Sequence, residues 1–331
     1  MIRAIFITIL FFLFGCNSPK EKIPTLRVYT YDAFSSKWGP GPKIKDIFEK
    51  KNHCKIEFVS LSSSIGALRK IELEGDRTKA DILLGIDTQT IPLALKTGLF
   101  TPHNLKDKLD LPYPFESPYF TPFDYSYFAF VYDSSKLKNP PHSFEELASM
   151  PKSFKIAIQD PRSSTSGFGL LLWIKSIYKE GAKKYWQRLA PYVLTVTKGW
   201  SESYNLFLKG EADMVLSYTT SPAYHMINEK NYNIKAAHFK EGHFIQIEVA
   251  GILKSSKNKK LAKKFLSFLH SKEFANIIPT TNWTYPVIKT RLPKEFDKLI
   301  IVKKPLYLDP SITKKHHEKF IKEWIEAMSG R

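Results

Sequence analysis

Apolar positions along the chain switch repeatedly between two rhythms. Aliphatic, β-branched and aromatic runs at 26–32 (LRVYTYD), 54–61 (CKIEFVSL) and 80–86 (ADILLGI) read as strands. Between them, Ile44, Ile47 and Phe48, then Ile65, Leu68, Ile71 and Leu73, recur at helical spacing, and Gly75 and Gly98 stand where helices would stop. This alternation predicts a parallel sheet covered on both faces. The run PFDYSYFAFVYD (122–133) is too long and too aromatic for a simple core strand, and is expected to carry the chain into a second lobe. There the same grammar resumes, with a capping box at Ser143 and Glu146, a strand at 155–159 (KIAIQ), and a helix holding Leu170 to Trp173. Strands at 192–197 and 214–218 follow, and HFIQIEVAGIL (243–253) mirrors 122–133 as a return crossing. An amphipathic helix from Ser311, with Phe320, Trp324 and Ile325 inward, is predicted to back the first lobe. The expected fold is α/β: two doubly wound α/β lobes joined by a two-strand hinge. Lobe 1 would comprise 26–121 plus 251–331, and lobe 2 would comprise 122–250 with the hinge crossings.

The N-terminus alters the picture. Arg3 precedes an apolar run over residues 4–14 that is too short to span a bilayer, so residues 1–15 read as a signal peptide. Leu13-Phe14-Gly15-Cys16 resembles the lipobox of bacterial lipoproteins, which makes Cys16 the expected lipidation site and 16–25 a polar tether. The expected location is periplasmic or extracytoplasmic, membrane-anchored through that lipid. Cys54 is then the remaining thiol, and no intramolecular disulfide is expected. At 331 residues, 43% hydrophobic and 25% charged, the chain can fill sizeable cores, which excludes a disordered tail or a multi-pass membrane protein. The net charge of +18 is spread over helices without forming a block, which reads as a solvated basic surface and not a nucleic-acid interface. His225, His316 and His317 are the obvious metal ligands, yet they form no ligating motif, so no metal or cofactor is expected. A monomer is expected.

In doubly wound sheets, ligands sit outside the carboxyl ends of the strands, where loops open onto helix N-termini. The loops in question are 29–42, Leu61 to Ser64, 159–167 (QDPRSSTSG), 198–203 (KGWSES) and 217–225 (SYTTSPAYH). Hydroxyls and helix starts suit a phosphate. The rings Tyr31, Trp38, Trp200, Tyr218, Trp283 and Tyr285 suit a flat heterocycle or a cation.

The segments VYTYDAF, WGPGP, KADILLGID, KTGLF, PFDYSYFAFVYD, KLKNPP, QDPRSSTSG, LLLW, TVTKGWSE, LFLKGEAD, VLSYTTSPAYH, EGHF and NWTYPV, in order from about Leu26 to Val287, resemble the periplasmic thiamine-binding proteins of ABC importers. The resemblance implies a type II periplasmic binding protein that closes like a clamshell on thiamine, thiamine monophosphate or thiamine diphosphate and delivers it to permease subunits. Carried over residue by residue, it points to Ser164, Thr165, Trp200, Tyr218, Thr219, Thr220 and Ser221, with Trp283 near the ligand. These types fit an aminopyrimidine joined to a thiazolium cation: rings stack, and hydroxyls donate to phosphate. Asp32 or Asp124 could balance the cation, or equally serve as turn or hinge carboxylates, and Arg162 is either a phosphate ligand or a partner of Asp160. Ser63-Ser64 departs from the Asp-Gly pair usual in the family, exchanging a carboxylate for hydroxyls that would favour a phosphorylated ligand. Two other readings are open: a thiaminase-like enzyme on the same fold, and a receptor for another cationic or phosphorylated small molecule. The enzyme needs a cleft Cys, and Cys54 stands at the amino end of a strand, away from the expected cleft. The sequence therefore favours a receptor without catalysis.

Overall fold

A computed structural model describes residues 23–329. The expected signal peptide over 1–15, Cys16 and most of the tether lie outside the described residues.

The strands are β1 (Thr25–Tyr31), β2 (Lys55–Leu61), β3 (Ile82–Asp87), β4 (Phe100–Thr101), β5 (Phe120–Asp133), β6 (Ile156–Gln159), β7 (Val193–Thr197), β8 (Met214–Tyr218), β9 (Ile234–Ala236), β10 (Ile245–Leu253) and β11 (Tyr285–Pro286). The helices are α1 (Asp32–Ser35), α2 (Gly41–Asn52), α3 (Ser64–Glu74), α4 (Ile91–Lys96), α5 (Phe144–Leu147), α6 (Thr165–Tyr178), α7 (Ala182–Leu189), α8 (Trp200–Leu208), α9 (Pro222–Tyr224), α10 (Lys259–Phe268), α11 (Lys272–Ile277) and α12 (Pro310–Met328). The main strand order is β2-β1-β3-β10-β5-β8-β6-β7. In the first lobe β1 is parallel to β2 and β3; in the second, β6 is parallel to β7 and β8. β5 and β10 run antiparallel between these two groups.

The 14-residue strand β5 changes partner midway. Between Phe120 and Tyr127 it pairs with β10, and from Phe128 to Tyr132 it pairs with β8. The inner strands are buried on both faces, and β3 is buried at every position, whereas the outer strands β2 and β7 keep exposed positions. In the first lobe α2, α10 and α11 close one face through Ile44, Phe48, Phe265 and Phe274, while α3 contributes Leu68 and Ile71 to the opposite face. In the second lobe Trp173 of α6 and Trp186 of α7 occupy a large core with Phe130 and Phe144.

Two expectations are corrected. Leu73 is 85% exposed, because the buried stripe of α3 runs through Ile65, Leu68 and Ile71 and leaves Leu73 on the solvent side. The C-terminal helix does not simply back the first lobe. Phe320, Trp324, Ala327 and Met328 of α12 enter the core of the second lobe, where Trp324 meets Trp186 edge-on at 6.3 Å, and Ile325 faces outward. The start of α12 also reaches the first lobe, since Thr313 Oγ1 donates to Gln89 Oε1 at 2.8 Å. Shape complementarity to the indole surface of α7 decides this packing, and helical periodicity alone carries no information about which lobe supplies that surface.

Trp324→Ala removes a buried indole and should lower the unfolding free energy by about 3–5 kcal/mol, measured by urea denaturation.

Candidate functional site

A cavity of about 470 Å³ lies between the lobes, at the carboxyl ends of the strands. Much of its wall comes from strand ends and the loops that follow them, and Gln246 and Glu248 come from within β10. Tyr31 ends β1 and Asp32 follows it, Ser62 to Ser64 follow β2, Ser164 and Thr165 follow β6, Trp200 follows β7, and Tyr218 ends β8 with Ser221 beyond it.

Three helices begin at this wall for a local reason. Ser63 caps α3 by accepting from Gly66 N at 3.0 Å, Ser164 caps α6 by accepting from Gly167 N at 3.5 Å, and Gly199 precedes α8 in extended backbone. Their first-turn N–H groups and dipoles make that part of the cavity receptive to an anion. Trp200 is fixed by its ring nitrogen, which donates to Ser217 Oγ at 2.8 Å, and by stacking on Tyr204 at 4.6 Å. Tyr204 is held in turn by His225 Nε2 at 2.9 Å, whose other ring nitrogen meets Glu229 at 2.7 Å. Trp283 has a positive φ of 59°, a conformation that bulky L-residues seldom adopt, and meets Tyr224 edge-on at 5.3 Å.

The lobes are hydrogen-bonded directly to each other across the mouth. Ser63 Oγ donates to Ser163 O, and Ser201 Oγ donates to Asp32 Oδ1 at 3.2 Å. Within the second lobe, Tyr218 OH donates to Gln246 Oε1 of the hinge strand β10 at 3.0 Å. Gly199 is pressed against Ser62, such that a Cβ there would stand 2.2 Å from Ser62 O.

Carboxyls form the other pole. Glu248 lines the cavity and accepts from Tyr31 OH at 2.8 Å and Asn282 Nδ2 at 3.3 Å. Asp124 lies behind that wall and accepts from Asn282 Nδ2 at 2.6 Å and Thr284 Oγ1 at 2.7 Å. Burial pushes Asp124 up to about 6, and burial followed by the Asp124 charge raises Glu248 well above the ordinary carboxyl range. Burial also raises Asp32, against the lowering effect of its bonds to Ala33 N and Ser201. None of the lining residues is Lys, Arg or His.

Of the residues singled out in the sequence, Tyr31, Asp32, Trp38, Ser63, Ser64, Ser164, Thr165, Trp200, Tyr218, Ser221 and Trp283 line this cavity. Four do not. Thr219 and Thr220 are fully buried beneath the turn after β8: Thr219 N donates to Tyr127 O, and the Thr220 hydroxyl is paired with that of Ser126. Asp124 stands one layer back, and Tyr285 stacks on Tyr125 at 5.4 Å outside the lining. Arg162 is engaged with Asp160 at 2.5 Å and lies over the Trp324 ring. Ser63 has its single proton committed to Ser163 O, so its hydroxyl closes the lobes in this conformation and is not free to donate to a phosphate. The lining also contains Tyr204, Tyr224, Gln246, Glu248, Asn282 and Thr284, which sequence reasoning missed. Gln246 and Glu248 did carry a signal, as alternate polar positions facing one way inside an otherwise apolar strand.

Comparison with known proteins adds an independent line. The profile for bacterial extracellular solute-binding proteins matches residues 32–276. The chain is 47% identical over 315 residues to the thiamine-binding periplasmic protein of Escherichia coli (strain K12), covering 95% of this chain and 96% of that one. It is 46% identical over 323 residues to the thiamine-binding periplasmic protein of Brucella suis biovar 1 (strain 1330), covering 97% of both. A solved periplasmic thiamin binding protein superposes with a TM-score of 0.90 at 47% identity, covering 92% of this chain and 96% of that one.

Gly199→Ala places a methyl group against Ser62 O at the lobe contact, from a position that is itself outside the cavity lining. The variant should favour the open form, seen as a larger radius of gyration than wild type in small-angle X-ray scattering.

Proposed function

The chain belongs to the bacterial extracellular solute-binding protein family, and from that premise we propose that it captures thiamine, thiamine monophosphate or thiamine diphosphate and delivers it to the permease of an ABC importer. The observation that carries this reading is the double character of the cavity: buried carboxyls at one part of the wall, three helix starts at another, and large aromatic faces between loops. A thiazolium cation suits the carboxyls and the rings, the aminopyrimidine suits the stacked surfaces, and a phosphate tail suits the N–H groups and hydroxyls of Ser164 and Thr165. Its volume, about 470 Å³, falls in the range of small-molecule sites.

The ligand-contacting set is proposed as Tyr31, Trp38, Ser64, Ser164, Thr165, Trp200, Tyr218, Ser221 and Trp283, joined by Tyr224, Glu248 and Asn282. Asp32 and Ser63 act as closure contacts. The first lobe is proposed as 26–121 with 251 onward, and the second as 122–250, with α12 bridging them. Closure is a population shift driven by a ligand that touches both lobes.

Catalysis is not part of the proposal. Cys54 is buried in the first-lobe core, where desolvation and then Glu49 push its thiol up, away from the thiolate a nucleophile requires. The protein acts outside the cytoplasm as a monomer, tethered to the membrane through a lipid on Cys16.

Two measurements test this. Calorimetry with thiamine and its two phosphate esters should give saturable binding, and Trp200→Ala should weaken it at least about tenfold, or ~1.4 kcal/mol. Cys16→Ser should move the protein from the membrane fraction to the soluble fraction of expressing cells, and an unchanged distribution would rule out the anchor.

A further inference from the structure

Among the described residues, no cationic side chain is paired with the carboxyls under the cavity. Glu248 on β10 is the register partner of Asp124 on β5 and of Asp87 on β3, so three acidic side chains occupy neighbouring strands. All three are buried, at 6%, 0% and 2% exposure respectively. The other titratable groups facing Glu248 are the phenols of Tyr31 and Tyr218, both of which burial raises well above their ordinary range and which are therefore neutral at physiological pH. Asp32 lines the same cavity. Glu248 and Asp124 accept hydrogen bonds from the neutral donors Tyr31, Gln246, Asn282 and Thr284, and the two carboxyls also interact with each other. Asp124 Oδ1 is fully buried and has no hydrogen-bond partner among the described residues. Asp87 differs, because Thr90 satisfies it through N and Oγ1 at 2.9 and 2.6 Å.

Two buried carboxylates sharing one Asn282 amide, without a cation, cannot both ionise at modest cost. An organic cation arriving at Glu248 supplies the missing charge. We propose that Glu248 and Asp124 form a proton-linked cation subsite: the pair retains a proton in the ligand-free protein and releases it to solvent when a quaternary nitrogen cation binds. This rests on the reading of the cavity as a thiamine site and deepens it, naming the carboxyls that read the thiazolium charge. The elevated affinity of Asp124 and Glu248 for protons is consistent with the geometry. The sign follows from linkage: the cation favours the ionised pair, so affinity rises with pH across the interval in which the ligand-free pair is still protonated, and falls as pH drops.

The test is isothermal titration calorimetry of the whole protein at pH 6, 7 and 8 in buffers of different ionisation enthalpy, with thiamine and separately with a simple N-alkyl thiazolium salt. The proposal expects release approaching one proton per cation bound, with affinity rising by up to about tenfold per pH unit. Glu248→Gln, checked for folding by circular dichroism, should abolish release and flatten the pH dependence; Asp124→Asn should change the release without removing Glu248 from the cavity wall. Tight binding of thiamine by the wild type with no proton release and a flat pH profile would overturn the proton linkage while leaving the thiamine reading standing. Undiminished release in both variants would overturn the assignment to this pair. If neither cation binds, both readings fall.

Discussion

A single strand belongs to both halves of the molecule, and most of the structure depends on that constraint. β5 is hydrogen-bonded to β10 up to Tyr127, with a register shift at Glu248 and Val249, and to β8 from Phe128, so one strand carries backbone pairing from one lobe into the other. A break in the ladder would expose buried N–H and C=O groups, which holds the register of both lobes to one common frame. That frame brings the carboxyl ends of β1, β2, β6, β7 and β8 to one cleft. It also places Asp124, a residue of the shared strand, directly behind the cavity wall.

Within this frame the chemistry of the cavity comes from short-range polar groups and not from the overall charge. The chain carries a net charge of +18, yet no lining residue is Lys, Arg or His. A screened surface field weakens within about 8 Å at physiological salt, whereas buried dipoles and carboxyls act at contact distance. Helix starts suit negative charge without a basic side chain, and carboxyls without a cationic partner suit positive charge. Aromatic rings contribute area to both.

Much of this was legible in the sequence because loops after strands announce themselves through hydroxyls, glycines and exposed rings. Ser164, Thr165, Trp200, Tyr218, Ser221 and Trp283 were found in this way, by their position and by resemblance. Glu248 and Gln246 were not, since they stand inside an apolar strand that reads as hinge and core, and their two-residue spacing speaks only once the partner strands are known. Thr219, Thr220 and Tyr285 lie outside the lining, which a loop's composition could not show, because it does not tell which side chains turn beneath the loop. The destination of α12 was hidden for a similar reason: an amphipathic helix declares that it has an apolar face, and only the indole of Trp186 says where that face is received.

The bonds from Ser63 to Ser163 and from Ser201 to Asp32 join the lobes directly at the cavity wall, protein to protein. They must break whenever cargo escapes, whatever the cargo is. The dwell time of a captured molecule is thus partly written into bonds that the two lobes make with each other, and exchanges at those serines would retune how long the receptor keeps its load.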